Sequence, residues 1–265
     1  MFDLTVIIPS HNKEQYIIKC LDSIYAQTLK VSEIIVFDDC SKDKTVEVLR
    51  DYQKTHPSLR VIASEINVGV AKARDIAIRE AITDYVTFID ADDFYYDQHK
   101  LENEMQRAWL FYKKTGRKAC TFSQTVLVDE NGTRIDSKEL HNWDKNLRLG
   151  TVARLYRYWI PRDYCFPKET YIEIGGFEIN LNLYEDWDLN LRLFAEVPFL
   201  FSNGYGTAYR LETGGLSSVN YKKHFEMKKY VFEKNRKIMK YTFGESALFY
   251  ATLYATYIKN RIRRH

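Results

Sequence analysis

Cysteine, glycine and proline are all scarce in these 265 residues, and each shortage excludes something. The four cysteines, Cys20, Cys40, Cys120 and Cys165, are scattered without Cys-x-x-Cys spacing, which argues against zinc and predicts reduced, structural thiols. Eleven glycines and five prolines form no tract, so no flexible or polyproline linker divides the chain. Long apolar runs are missing as well. Nowhere do the ~18 uncharged residues of a membrane helix follow one another, and Met1 leads into a strand pattern without a leader, so the expected setting is cytoplasmic. A Gly-x-Gly-x-x-Gly turn is also absent after the first strand pattern, where Ser10-His11-Asn12 stands instead; this excludes the dinucleotide fingerprint.

Neither sign of charge dominates most of the chain, but an excess of positive charge is concentrated at its end. Residues 221–265 hold twelve Lys/Arg against three Asp/Glu, a balance of +9, so the first 220 residues carry −6 of the formal total of +3. The basic residues are interleaved with aromatics: Phe243, Phe249, Tyr250, Tyr254 and Tyr257 lead into Lys259, Arg261, Arg263 and Arg264. Such a helix can lie on an anionic membrane surface, or it can pack its aromatic stripe on the core and leave the charges solvated. Nucleic acid is not expected as a partner, because no reader motif accompanies the charge.

What is present is a repeated pattern. The apolar runs Leu4–Pro9, Glu33–Phe37, Leu59–Ala63 and Tyr85–Ile89 predict buried strands, and the segments from near Lys13, from Lys44 to Tyr52 and from Val70 to Ala81 predict helices between them. Alternation of this kind implies a parallel sheet with right-handed crossovers, whose ligands gather at the carboxyl ends of the strands. Polar clusters follow all four strands: Pro9-Ser10-His11-Asn12, Asp38-Asp39, Asn67-Val68-Gly69 and Asp90-Ala91-Asp92-Asp93. Ser10-His11-Asn12 is also expected to cap the first helix, and Asp43 or Ser41 the second.

Beyond the fourth strand the pattern becomes mixed. A helix is expected from His99 to Tyr112, a strand from Ala119 to Val128, and a hairpin turn at Asp129-Glu130-Asn131-Gly132 before Thr133–Ile135. Further helices are expected at Lys145–Tyr158, Lys168–Ile174 and Asp186–Ala195, with strands at Phe199–Ser202 and Gly206–Leu211 and a helical tail from Tyr221.

Two acidic clusters carry the chemistry. Asp90, Asp92 and Asp93 can form a solvated turn or hold a hard divalent ion that shares phosphate oxygens with a ligand. Glu185-Asp186-Trp187-Asp188 opens a helix and can be an ordinary N-terminal cap. Beside a metal and phosphate site, a carboxylate there is the group needed to take a proton from an attacking hydroxyl, which makes group transfer the combined reading.

Taken together, Val6-Ile7-Ile8-Pro9-Ser10-His11-Asn12, Phe37-Asp38-Asp39-Cys40-Ser41, Asn67-Val68-Gly69 with Ala73-Arg74-Asp75, Ile89-Asp90-Ala91-Asp92-Asp93, Gly175-Gly176-Phe177 and Glu185-Asp186-Trp187-Asp188 resemble the ordered motifs of family 2 glycosyltransferases. The resemblance runs from residue 4 to about residue 220. It implies an α/β GT-A fold: a Rossmann-like mixed sheet with flanking helices, divided into a nucleotide-sugar half (1–98) and an acceptor half (99–220), followed by the helical extension 221–265. It also implies a nucleotide-sugar donor, with UDP favoured, and inverting transfer to a hydroxyl of a cell-surface glycan. A lipid-linked acceptor would suit an enzyme held peripherally on the inner face of the membrane by its basic tail. Transfer to polyprenyl phosphate and an inert nucleotide-sugar sensor of the same fold are the alternatives.

By the same resemblance, Pro9, His11, Asp38 and Asp39 line the nucleoside pocket, with Asp39 accepting from the base imide. Asn67, Gly69 and Arg74 border the nucleotide, Gly69 through close backbone approach. Within Asp90-Ala91-Asp92, Asp90 meets the ribose or the metal, and Asp92 binds Mn²⁺ or Mg²⁺ at the diphosphate. Asp186 is the catalytic base, while Trp187 and Asp188 support the helix or the acceptor pocket. One departure stands out: where many relatives place a metal-binding His after a Tyr-Arg pair, this chain has Glu212 after Tyr209-Arg210-Leu211. Glu212 is therefore the candidate third ligand, and Gly214-Gly215-Leu216-Ser217-Ser218 a candidate closing loop.

Overall fold

Every residue of Leu4–Ser10 is buried, which is why a run apolar on both faces takes the centre of a sheet rather than its edge. A computed structural model describes residues 2–135, 163–181, 183–211 and 220–262. Its strands are β1 (Leu4–Ser10), β2 (Glu33–Asp38), β3 (Leu59–Ala63), β4 (Tyr85–Phe88), β5 (Phe94–Tyr95), β6 (Cys120–Val128), β7 (Phe166–Pro167) and β8 (Phe199–Arg210). The main sheet has the order β3-β2-β1-β4-β7, parallel except for the edge strand β7, and a smaller sheet has the order β5-β8-β6. The register pairs Ser10 with Asp38 and Ile7 with Phe88, so the polar clusters after β1, β2 and β4 emerge together.

Helices α1 (Ile17–Tyr25), α2 (Thr45–Gln53), α3 (Val70–Glu80) and α4 (Lys100–Thr115) follow in the first half; α5 (Lys168–Glu173), α6 (Glu185–Glu196), α7 (Tyr221–Met239) and α8 (Phe243–Ile262) follow in the second. Alternate residues of the strands face opposite cores. Ile7, Ile35, Phe37, Val86 and Phe88 meet Ala73, Ala77 and Ile78 of α3, whereas Val6, Ile8, Ile34 and Val36 meet Leu21 and Ile24 of α1 and Leu101 and Met105 of α4. Each fully buried aliphatic or aromatic side chain contributes roughly 1.5–3 kcal/mol. That outweighs the cap of about 1 kcal/mol that α1 and α2 both lack at their N-cap residues.

The expected boundaries need several corrections. Asn12 adopts a left-handed backbone (φ 53), and its Oδ1 accepts from the Lys42 amide. Residues 13–16 therefore form a turn, and α1 starts at Ile17 rather than near Lys13, with Tyr16 and no side-chain bond at its cap. Asp43 still shapes the start of α2, accepting from the Thr45 amide at 3.0 Å. The two strands expected at 199–202 and 206–211 are one continuous strand, β8. Asn203 is left-handed (φ 61) and the β6–β8 register shifts there, so Gly204 and Gly206 lie inside a bulge instead of punctuating a turn. Gly206 is needed because a Cβ would come within 2.9 Å of the Ser123 Cβ. The hairpin at 129–132 closes through the Asp129 amide and the Thr133 carbonyl, followed by a single bridge between Val128 and Arg134. The helix expected at Lys145–Tyr158 lies outside the described residues.

The helical tail is two helices joined at left-handed Lys240. Phe232, Phe249 and Leu253 pack with Leu183, Trp187 and Leu191 in a third core, and the Phe232 and Phe249 rings stack at 3.8 Å. The other side of α8 leaves Phe243, Leu248, Tyr254 and Ile258 exposed. No described helix is long and apolar enough to cross a membrane.

Candidate active site

The site begins where β1 and β2 end. Asp38 is buried and turns back on its own loop: its Oδ1 accepts from Ser41 Oγ at 2.5 Å and its Oδ2 from the Ser41 amide at 3.0 Å. Cys40, between them, is left-handed at φ 64. Asp39 reaches across to the start of α3, where its carboxylate accepts from the Val68 amide at 2.6 Å and the Gly69 amide at 2.9 Å. These amides open the helix, so they favour a negative partner. Gly69 has φ 85 and ψ 152, a backbone that only glycine adopts readily, and nothing lies within 4 Å of where a Cβ would project. Within the chain, this backbone conformation is what requires a glycine at position 69.

His11 frames the same corner. Its Nδ1 lies 2.8 Å from the Asp39 carbonyl, which can only accept, so Nδ1 carries the proton; Asn12 Nδ2 then donates to Nε2 at 3.1 Å. With both nitrogens engaged, the imidazole positions the Asp39 loop. Asn67 Nδ2 donates to the same carbonyl at 3.2 Å. Pro9 is buried within β1 beside Phe37.

The turn after β4 brings Asp90, Asp92 and Asp93 together, with one oxygen of each within 4.8 Å of the others. Ala91 is buried in the α1-side core, so the chain dips between Asp90 and Asp92 and presents both outward. Each carboxylate has a different partner. Asp90 accepts from Arg74 Nη2 at 2.5 Å, Asp92 from Lys13 Nζ at 2.5 Å, and Asp93 from the Arg210 amide at 2.8 Å. Asp93 is 4% exposed and tied to β8, which leaves Asp90 and Asp92 as the pair facing the cleft. An all-oxygen set suits a hard ion such as Mg²⁺ or Mn²⁺, which keeps one or two carboxylates and fills its shell with phosphate and water.

The second acidic cluster is delivered by a constrained turn. Gly175 and Gly176 have φ 86 and 72, and Tyr184 at the start of α6 has φ 66. A Cβ on Gly176 would sit 2.5 Å from Asp75 Oδ1 and 3.0 Å from the Tyr171 hydroxyl, which themselves bond at 2.6 Å. Gly176→Ala is accordingly expected to destabilise the fold by about 1–3 kcal/mol, read as a lower urea midpoint. An unchanged midpoint would mean that the turn relaxes without cost.

Within the cluster the residues divide. Asp188, fully buried, is bonded to Arg192 at 2.9 Å, Asn235 at 2.8 Å and Lys234 at 3.1 Å, so it clamps α7 onto α6. Trp187 stacks on Phe249. Asp186 Oδ1 accepts from the Trp187 amide at 2.8 Å. Glu185 accepts from Arg74 Nη1 at 3.1 Å. Arg74, 2% exposed and 4.8 Å from the centre of the Phe88 ring, therefore joins the two acidic clusters with the two arms of one guanidinium. Arg74 and Glu185 lie 111 positions apart in the chain.

Residues 5–149 match the family model described as Glycosyl transferase family 2. The chain belongs to glycosyl transferase family 2. Among its relatives, chondroitin synthase of Escherichia coli is 26% identical over 205 residues, covering 76% of this chain and 28% of that one. The putative teichuronic acid biosynthesis glycosyltransferase TuaG of Bacillus subtilis is 34% identical over 135 residues, covering 50% of each. This family 2 chain thus spans half or less of these two relatives. A crystal structure of S. aureus TarS residues 1–349 in complex with UDP-GlcNAc matches with a TM-score of 0.67 at 20% identity, over 89% of this chain and 70% of that one. The fold is thereby the expected GT-A fold.

Three residues of this family 2 site were not assigned roles from the sequence: Lys13, Glu185 and Arg210. Arg210 donates from its amide to Asp93, from Nε to the Asp92 carbonyl at 2.9 Å, and from Nη1 to the Glu130 carbonyl, so it locks the acidic turn to the hairpin. None of these pairings leaves a periodic signal, because each joins segments far apart in the chain. Glu212 and the 214–218 loop lie outside the described residues.

Proposed function

We propose that this chain transfers a sugar from a UDP-sugar to a hydroxyl of a cell-surface polymer, with inversion at the anomeric carbon. The observation that carries the reading is Arg74, which sets the Asp90–Asp92 pair and the Glu185–Asp186 cluster at one end of the sheet. Relatives named for chondroitin and teichuronic acid synthesis, and the TarS structure with UDP-GlcNAc, support the polymer and the donor.

Asp39 retains lone pairs beyond the two given to Val68 and Gly69, since a carboxylate offers about four acceptor sites; these would accept the imide N–H of uracil, with His11, Asn67 and Pro9 framing the base. Mg²⁺ or Mn²⁺ held by Asp90 and Asp92 would offset the charge building on the departing diphosphate. Asp186 would take the proton of the acceptor hydroxyl as that oxygen attacks the face opposite the diphosphate. It stands in the first turn of α6. The exposed apolar side of α8, with Lys259 and Arg261 at its end, suits a peripheral seat on an anionic inner membrane surface where lipid-linked acceptors would lie. Sedimentation with vesicles containing anionic lipid, and loss of that sedimentation in Lys259→Glu/Arg261→Glu, would test the seat.

The donor and metal are tested by thermal unfolding with UDP, Mn²⁺ and both. A ligand at about 100 times its Kd stabilises the folded state by about 2.7 kcal/mol. UDP with Mn²⁺ is expected to raise the midpoint well above either alone, and Asp92→Ala to remove the part that depends on Mn²⁺. No stabilisation by any nucleoside diphosphate would contradict the reading.

A further inference from the structure

Asp92 is not waiting bare for a metal. Lys13 Nζ lies 2.5 Å from its Oδ2, and the two side chains are 24% and 23% exposed, so the pair sits at the mouth of the cleft where ions and ligands can reach it. The Lys13 backbone is pinned from the other side. Its amide donates to Thr45 Oγ1 at 2.9 Å, Thr45 Oγ1 donates to Asp43, and the neighbouring Glu14 amide donates to Asp43 as well. Only the flexible stem of Lys13 can leave Asp92; its Cα cannot.

We propose that Lys13 is the resident cation of Asp92 and couples metal binding to diphosphate binding; the inference rests on the metal and donor sites proposed above. An ammonium and a divalent ion compete for the same carboxylate oxygen. A metal arriving alone must expel Lys13 and leave its charge without that partner, and a diphosphate arriving alone can recruit Lys13 only by stripping Asp92. When both arrive, Asp92 passes to the metal and the released ammonium, a point charge suited to phosphate, passes to the diphosphate. Each ligand thus lowers the cost of admitting the other, and the coupling is reciprocal. The arrangement would keep the site from holding a metal without a donor. Arg74 cannot serve in this way, because its guanidinium is buried and fixed between Asp90 and Glu185. Arg210 cannot either, since it is bound to backbone carbonyls.

The test is a binding cycle on the whole chain with Mn²⁺ and UDP as probes, followed by the spin-resonance signal of unbound Mn²⁺ and by calorimetry. In Lys13→Met, Mn²⁺ alone is expected to bind more tightly than in wild type and UDP alone more weakly. The factor by which UDP tightens Mn²⁺ should shrink by an amount within the roughly 5- to 150-fold range of coupled sites. Lys13→Arg, which retains a cation, should restore weak binding of Mn²⁺ alone. Lys19→Met serves as the control, because Lys19 stands over Phe94, 4.2 Å from the ring centre, and removes the same charge nearby. Unchanged or weaker Mn²⁺ binding in Lys13→Met, or equal tightening in Lys19→Met, would overturn the proposal while leaving the donor site intact. Absence of both Mn²⁺ and UDP binding in wild type and Lys13→Met alike would instead defeat the underlying reading.

Discussion

Asp186→Asn is expected to lower the rate of transfer by about 10²- to 10⁴-fold, the usual contribution of a positioned general base, while Mn²⁺-dependent UDP binding stays near the wild-type value. The separation follows from the geometry. Asparagine keeps the Oδ1 that accepts from the Trp187 amide, so the helix start is preserved and only the capacity to take a proton is lost. Asp188→Asn supplies the contrast two residues away. Its carboxylate holds Arg192, Lys234 and Asn235, and replacing it should appear as lower stability with donor binding intact. Single-turnover rates beside UDP titrations check both. Transfer at the wild-type rate in Asp186→Asn would remove the base assignment.

Arg74→Ala is expected to be the most damaging substitution for stability. Removing a guanidinium that is 2% exposed leaves Asp90 and Glu185 facing each other without their shared cation. Losing one partner of a buried ion pair typically costs about 3–5 kcal/mol, and the lost contact with the Phe88 ring adds to this. Arg74→Lys should recover only part, since an ammonium lacks the fork that reaches both carboxylates. Urea denaturation measures the loss. If Arg74→Ala unfolds within about 1 kcal/mol of wild type, the range of a surface ion pair, Arg74 does not hold the two acidic clusters together.

The parallel part of the main sheet could be read in the chain because parallel strands buried on both faces are continuous apolar runs. Leu4–Ser10 and Glu33–Asp38 announce themselves in this way, each ending in a polar cluster, whereas the edge strand Leu59–Ala63 alternates buried with half-buried residues before an exposed end. Local rules failed where a distant contact overrode them. Gly204 and Gly206 look like turn punctuation, yet pairing with β6 carries the strand through them. Asn12 looks like a helix cap, yet its side chain serves the Lys42 amide in another loop. The candidate site divides along the same line. Asp39, Asp90, Asp92 and Asp186 were legible as residue types at strand and helix ends, whereas Lys13, Glu185 and Arg210 acquire their roles only through partners 79, 111 and 117 positions away.

If the two acidic clusters form one inverting site, the configuration of the released sugar will report it. With Mn²⁺ and an α-linked UDP-sugar that stabilises the protein, transfer to water in place of the acceptor would release the free sugar, and the first product seen by proton NMR would report the face of attack without knowledge of the natural acceptor. The β-anomer is expected at early times, before mutarotation mixes the two, and its formation should be lost in Asp186→Asn. An α-anomer as the first product would contradict inversion.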